Sequence, residues 1–341
     1  MAKAAEIVGL DCAAPVRVAL ALVLRTRLEE MCAYRVAALD WSDTKGVKNM
    51  RVASRRLRSA ARDFAPYSSA HLPRRRLRDL ARALGDVRGE DVFIGALEEL
   101  ASTAPPEIAD GLRLHIAARA ERREHARNTL AKLLTEAQLA KLQDKYLRTL
   151  ARIESDKHAA GKNKSAAHAR TFTAAGREII AARLSEFRAL GAALYRPHAR
   201  RRLHRLRIAA KGLRYALELF AACGSDELLE LAREVAHLQT SLGELHDRDE
   251  WIADLSELLE GRAQHGDDTL DGADVAAGTM RRSAFWLLDM FMEQRSRHLR
   301  AALERWARWE TDGFFARLSV AGADLPAAPD AYLSQEKTCC W

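Results

Sequence analysis

The chain has 341 residues, 48% hydrophobic and 30% charged, with 55 Lys and Arg against 47 Asp and Glu for a formal charge of +8. That length holds one large domain or two of ordinary size, and this composition excludes a disordered polymer. No apolar run approaches the roughly 18 residues of a membrane span, and Glu6, Asp11 and Arg25 around the apolar patch at 18–24 argue against a secretory signal.

The eight prolines, at 15, 66, 73, 105, 106, 197, 326 and 329, divide the chain into long segments rich in Ala, Leu, Arg and Glu, the strong helix formers. Apolar residues recur three and four apart, as in Leu228, Leu231, Val235, Leu238, Leu242 and Leu245. This predicts an all-α protein with helices over 15–38, 45–64, 72–101, 107–152, 168–194, 198–222, 226–262 and 274–312. Long helices with short connections imply bundles. The polar stretch 155–168 reads as a linker, and the residues from 320 as a frayed tail ending in Cys339, Cys340 and Trp341. The five cysteines, Cys12, Cys32, Cys223, Cys339 and Cys340, are odd in number and scattered, which suits a reducing cytoplasm better than a disulfide framework.

The chain repeats itself. VKNMRVASRRLRSAARDF at 47–64 aligns on LHRLRIAAKGLRYALELF at 203–220, an offset of 156 residues. Arg51, Leu57, Arg58, Ala60 and Phe64 recur as Arg207, Leu213, Arg214, Ala216 and Phe220. LGDVRGEDVF at 84–93 then matches LGELHDRDEW at 242–251, an offset of 158. The period is too long for a solenoid. It predicts a single domain over 15–315 made of two homologous four-helix halves, 15–152 and 169–315, related by a pseudo-twofold axis.

The first repeat carries Lys48, Arg51, Arg55, Arg58 and Arg62 on one helix face, with Met50, Val52, Leu57, Ala61 and Phe64 on its apolar side. His204, Arg207, Lys211 and Arg214 repeat the geometry. Like charges at this spacing repel, and only Asp63 and Glu218 stand among them, at the far ends. Such a stripe is either a solvated face or an anion site. Its duplication at equivalent positions favours the second, with the stripes facing one another across a basic groove or pore. Arg74, Arg75, Arg78 and Arg82, Arg119 and Arg123, and Arg297 and Arg300 are secondary candidates. The acids Asp91, Glu244, Asp247 and Asp249 can hold magnesium or act as base and acid, or can fix stripe arginines through ion pairs. His204 and His246 can titrate near neutrality or sit as surface histidines.

The second repeat, with its LGELHDRDEW continuation, closely resembles the CHAD family, the conserved histidine α-helical domain. Both copies of the pattern are visible, over roughly 15–315. The first departs from it at Lys48, which stands in place of the histidine, and at Gly89, which leaves that half without its first acid. The resemblance implies paired four-helix bundles around a basic central pore, binding of inorganic polyphosphate, and localisation to polyphosphate granules. Carried over residue by residue, the polyphosphate-binding candidates are Lys48, Arg51, Arg55, Arg58, His204, Arg207, Lys211 and Arg214. Secondary ones are Arg62, Arg78, Arg82, Arg119, Arg123, Arg297 and Arg300. No catalytic residue, metal set or cofactor is expected. A nucleic-acid binder and a metal-dependent enzyme acting on polyphosphate or a triphosphate are the alternatives. No helix-turn-helix, zinc spacing or RNA motif supports the first.

Overall fold

The Pro-free, Ala- and Leu-rich segments become helices throughout a computed structural model that describes residues 4–68, 70–155, 170–263 and 272–325. In chain order these are α1 (Val16–Ala33), α2 (Arg35–Leu39), α3 (Lys45–Asp63), α4 (Arg74–Ala101), α5 (Pro106–Leu133), α6 (Glu136–Ser155), α7 (Phe172–Leu190), α8 (Arg200–Phe220), α9 (Asp226–Ala263), α10 (Gly272–Thr311) and α11 (Phe314–Ala323). Among the described residues the β-type pairing is one isolated bridge, Pro15 to Thr171, and no helix is long and apolar enough to cross a membrane.

Three boundaries differ from the sequence expectation. The helix expected over 15–38 breaks at Tyr34, where α2 begins. Gly46 lets α2 and α3 meet, because a side chain there would strike the Ala37 carbonyl. The helix expected over 107–152 is two, α5 and α6. They part at Leu134, and the Thr135 hydroxyl accepts a bond from the Gln138 amide at 3.4 Å. Finally, Gly313 at φ +68° reverses the chain into α11. Residues at the start of the expected tail are therefore packed: Leu325 is buried, and its carbonyl accepts a bond from Arg177. The rest of that tail, with Cys339 and Cys340, and the expected linker beyond Ser155 lie outside the described residues.

Helix neighbours recur along the chain. α1 packs on α3 and α3 on α4, then α4 on α5; α7 packs on α8 and α8 on α9, then α9 on α10. The two series meet where α3 lies against α8 and α5 against α10. At the starts of α1 and α7 the Val16 amide donates to the Arg170 carbonyl and the Phe172 amide to that of Ala14, and at the ends of α3 and α8 the rings of Phe64 and Phe220 are 6.2 Å apart.

One large core runs through both halves, including Phe64, Phe172 and Phe220. A second core lies between α4, α5, α9 and α10, around Phe93, Leu112, Trp251 and Phe291. The expectation that all the cysteines are reduced is corrected for two of them. Cys12 and Cys223, separated by 211 residues, form a disulfide that ties the N-terminal segment to the end of α8. Neither spacing nor parity reveals a pair that only folding brings together.

Candidate functional site

α3 and α8 place their basic faces on opposite sides of a cavity of about 570 Å³. Spacings of three and four put Arg51, Arg55, Arg58 and Arg62 of α3 in its wall, and His204, Arg207 and Lys211 of α8 face them. Arg74 and Arg78 enter from the first turns of α4, and Tyr146 from α6. The lining thus holds seven arginines, a lysine and a histidine, and no carboxylate among the described residues. α3, α4 and α8 also carry no acid in their first turns. Acids there would complement the helix dipole, and basic residues oppose it.

This crowding is costly. At an effective dielectric of about 20, two like charges about 6 Å apart repel by roughly 3 kcal/mol. The ionisation of the group reflects it. Burial, then Arg55 and Arg207, pushes Arg51 down to about 9. Arg58 is lowered by burial, then by Arg55, Arg78 and Arg62. Arg207 is lowered by burial, with Asp247 opposing and Arg55 adding to the effect. Lys211 is pushed furthest, down to about 5, by burial and then by Arg207, Arg55 and Arg51. Its amine is therefore neutral at pH 7. The Nε atoms of Arg55 and Arg207 are buried without hydrogen-bond partners among the described residues.

The histidines do not behave as free surface groups. Nδ1 of His204 and Nδ1 of His246 lie 3.4 Å apart. Burial, then Arg207, His204 and Lys211, pushes His246 down to about 3. Burial, then Arg207 and Lys211, lowers His204. His246 is thereby held neutral at pH 7, away from titration near neutrality, and His204 is displaced in the same direction.

Six of the eight primary candidates line the cavity. Arg214 does not. It is 2% exposed, donating to Glu218 at 2.7 Å and to Gln239 of α9 at 3.1 Å. Its twin Arg58 has Arg62 where Arg214 has Glu218, so one arginine is captured and the other left facing the cavity. Lys48 is exposed at the start of α3 and is not part of the lining. Of the secondary candidates, Arg62 and Arg78 belong to the cavity. Arg82 is exposed and faces Asp86 instead.

The remaining secondary candidates sit elsewhere. Arg119 pairs with Glu90 at 3.3 Å and Asp254 at 2.6 Å, over the Phe93 ring. Arg123 lies 3.9 Å from Asp91, and Arg297 lies 3.5 Å from Glu293. Arg300 is exposed on α10. The acids expected to hold stripe arginines hold others: Asp249 takes Arg295 at 2.7 Å and Arg200 at 3.5 Å, and Glu244 pairs with Arg248. Of these acids Asp247 acts on the stripe, through Arg207 and Arg51; Asp63, 3.7 Å from Arg62, and Glu250, which acts on Arg207, are further acids near it. No group of three His, Cys, Asp or Glu among the described residues can hold a metal ion.

The family model of the CHAD domain matches residues 22–256, well over half of the chain. The chain belongs to the CHAD domain family. The crystal structure of the CHAD domain from the plant Ricinus communis matches this CHAD domain with a TM-score of 0.62 and 24% identity, over 88% of this chain and 97% of that one. PptA from Streptomyces chartreusis matches with a TM-score of 0.59 and 14% identity, over 86% of this chain and all of that one. At these identities the likeness is one of fold. No curated protein matches the chain in sequence.

Proposed function

We propose that this CHAD domain binds inorganic polyphosphate in the cavity between α3 and α8. The observation that carries the reading is the lining: seven arginines converge on one space beside the neutral Lys211, and no carboxylate stands in the wall, the acids that reach them being Asp63 at Arg62 and Asp247 at Arg51 and Arg207. A linear anion with one charge per phosphate relieves that repulsion, and guanidinium forks fit phosphate oxygens two at a time. Membership of the CHAD domain family supports polyphosphate as the ligand, a choice that charge alone does not make. The same lining offers no carboxylate for a divalent cation or a general base, which favours binding over catalysis.

We read the fold as two halves about a pseudo-twofold axis, with the cavity as a basic pore near it. Two self-equivalent contacts, Pro15 with Thr171 and Phe64 with Phe220, and the mutual repulsion of Arg51 and Arg207 support this. Each pair is separated by the repeat's own offset, and a twofold brings equivalent residues together. Targeting to polyphosphate granules in the cytoplasm belongs to this proposal, without the cysteine argument, which the Cys12–Cys223 bond removes.

Titration with long-chain polyphosphate at several salt concentrations, with duplex DNA of equal charge as competitor, tests the reading. By analogy with single-stranded nucleic acid, six to eight phosphate contacts give a log–log salt slope of roughly −4 to −6. Tight, salt-sensitive binding that DNA does not displace supports polyphosphate. A slope near zero contradicts a charge-driven site, and displacement by DNA moves nucleic acid to first place.

A further inference from the structure

Tyr146 is out of place for a core residue. Its ring packs in the main core with Leu139, Leu142 and Leu150 of α6, and it is among the largest fully buried side chains. Its Oη is also buried, with no hydrogen-bond partner among the described residues. A buried hydroxyl without a partner destabilises a fold, and phenylalanine would fill the same space without that cost. Tyr146 lines the basic cavity beside Arg74, whose charge acts on it. Arg55 and Arg207, from the two opposite sides of that cavity, each bring a further buried Nε donor without a partner among the described residues. Three unpartnered donors therefore belong to residues that line one cavity, and the oxygens of a bound phosphate chain are acceptors that can satisfy them.

We propose that Tyr146 is a ligand-contacting residue whose Oη donates an uncharged hydrogen bond to a phosphate oxygen at the end of the cavity formed by α4 and α6. This rests on the polyphosphate reading of the cavity and adds to it a contact that no charge stripe supplies. Burial holds the phenol well above its ordinary range, so it remains a donor at neutral pH. An arginine contact contributes through counterion release and weakens with salt, whereas a neutral donor releases no counterion. Tyr146 thus fixes where a phosphate sits, and the arginines set how strongly the chain is held.

Tyr146→Phe separates the two contributions. Titrated with long-chain polyphosphate over a range of salt, the variant binds about tenfold more weakly, the loss of one hydrogen bond to a charged acceptor. Its log–log salt slope stays that of the parent protein. Arg55→Met, by contrast, makes the slope shallower by about 0.7. The free Tyr146→Phe protein melts at the same temperature as the parent or higher, because an unsatisfied hydroxyl is gone. Unchanged affinity in the variant overturns the role of Tyr146 while leaving the cavity reading intact. A lower melting temperature or lost helix content overturns it too, by making the hydroxyl structural. A parent protein that does not bind polyphosphate fails the underlying reading, and this one with it.

Discussion

Arginine fills two regions of this molecule and does different work in each. Around the second core of α4, α5, α9 and α10, Arg119, Arg248 and Arg295 each meet a carboxylate, and the first two also lie over an aromatic ring of that core. In the cavity, Arg51, Arg55, Arg58 and Arg207 face one another and Lys211. What separates the two is the acids within reach, and not the number of arginines or the helical spacing. Paired arginines hold helices together, and unpaired ones crowded in a wall make a site for an anion. Arg58 and Arg214 show the rule at one residue's resolution, since they are equivalent in the repeat and differ in what stands four residues on.

The largest effect is expected from charge reversal in the cavity. Arg51→Glu with Arg207→Glu should weaken polyphosphate binding at least 100-fold in a fluorescence titration, while circular dichroism shows helix content unchanged. Loss of the fold would mean that these side chains are structural, and the comparison would collapse.

Arg119→Met should do the reverse. Removing one partner from a mostly buried pair leaves Glu90 without its arginine, so urea unfolding should show a loss of roughly 3 kcal/mol. Polyphosphate affinity should stay at the parent value. Arg214→Met belongs with it, destabilising by about 1–3 kcal/mol through the bonds lost to Glu218, which keeps only Arg56 at 3.7 Å, and to Gln239, and sparing binding. Weaker binding in either variant, without a stability change, would place that arginine in the site.

A smaller effect concerns protons. Lys211 is neutral above about pH 5 in the free protein, and a bound polyanion favours its charged form, so binding takes up a proton. Affinity should therefore rise as pH falls from 9 to 6, and calorimetry at pH 7 in buffers of different ionisation heat should register the uptake. The unfolded chain holds that proton up to about 10.4. The free protein is accordingly stabilised as pH rises between the two values, and Lys211→Met should flatten that slope. Identical heats in all buffers would contradict a neutral Lys211.

The sequence carried the local part of this. Helix periodicity is a property of neighbours in the chain, so the all-helical fold and the faces bearing Arg51, Arg55, Arg58 and Arg207 were readable from spacing. The identity of a side chain's partner is not local, and there the reading failed. The paired state of Arg119 depends on Asp254, far along the chain, and the Cys12–Cys223 bond on residues that meet only in the fold. Two misses did have a local signal. Glu218, one turn beyond Arg214, marks that arginine as captured. Thr135 followed by Gln138 is a helix-start pattern. It separates α6 from α5, and with α6 recognised as a helix of its own, Tyr146 would have been weighed apart from the long helix that hid it.

The central claim is that the cavity arginines, and not the paired ones, bind the anion. The most direct test is the salt dependence of polyphosphate affinity for the parent protein, Arg51→Met and Arg119→Met. The account predicts a log–log slope shallower by about 0.7 for Arg51→Met and unchanged for Arg119→Met. Equal changes in both, or a change only in Arg119→Met, would contradict it.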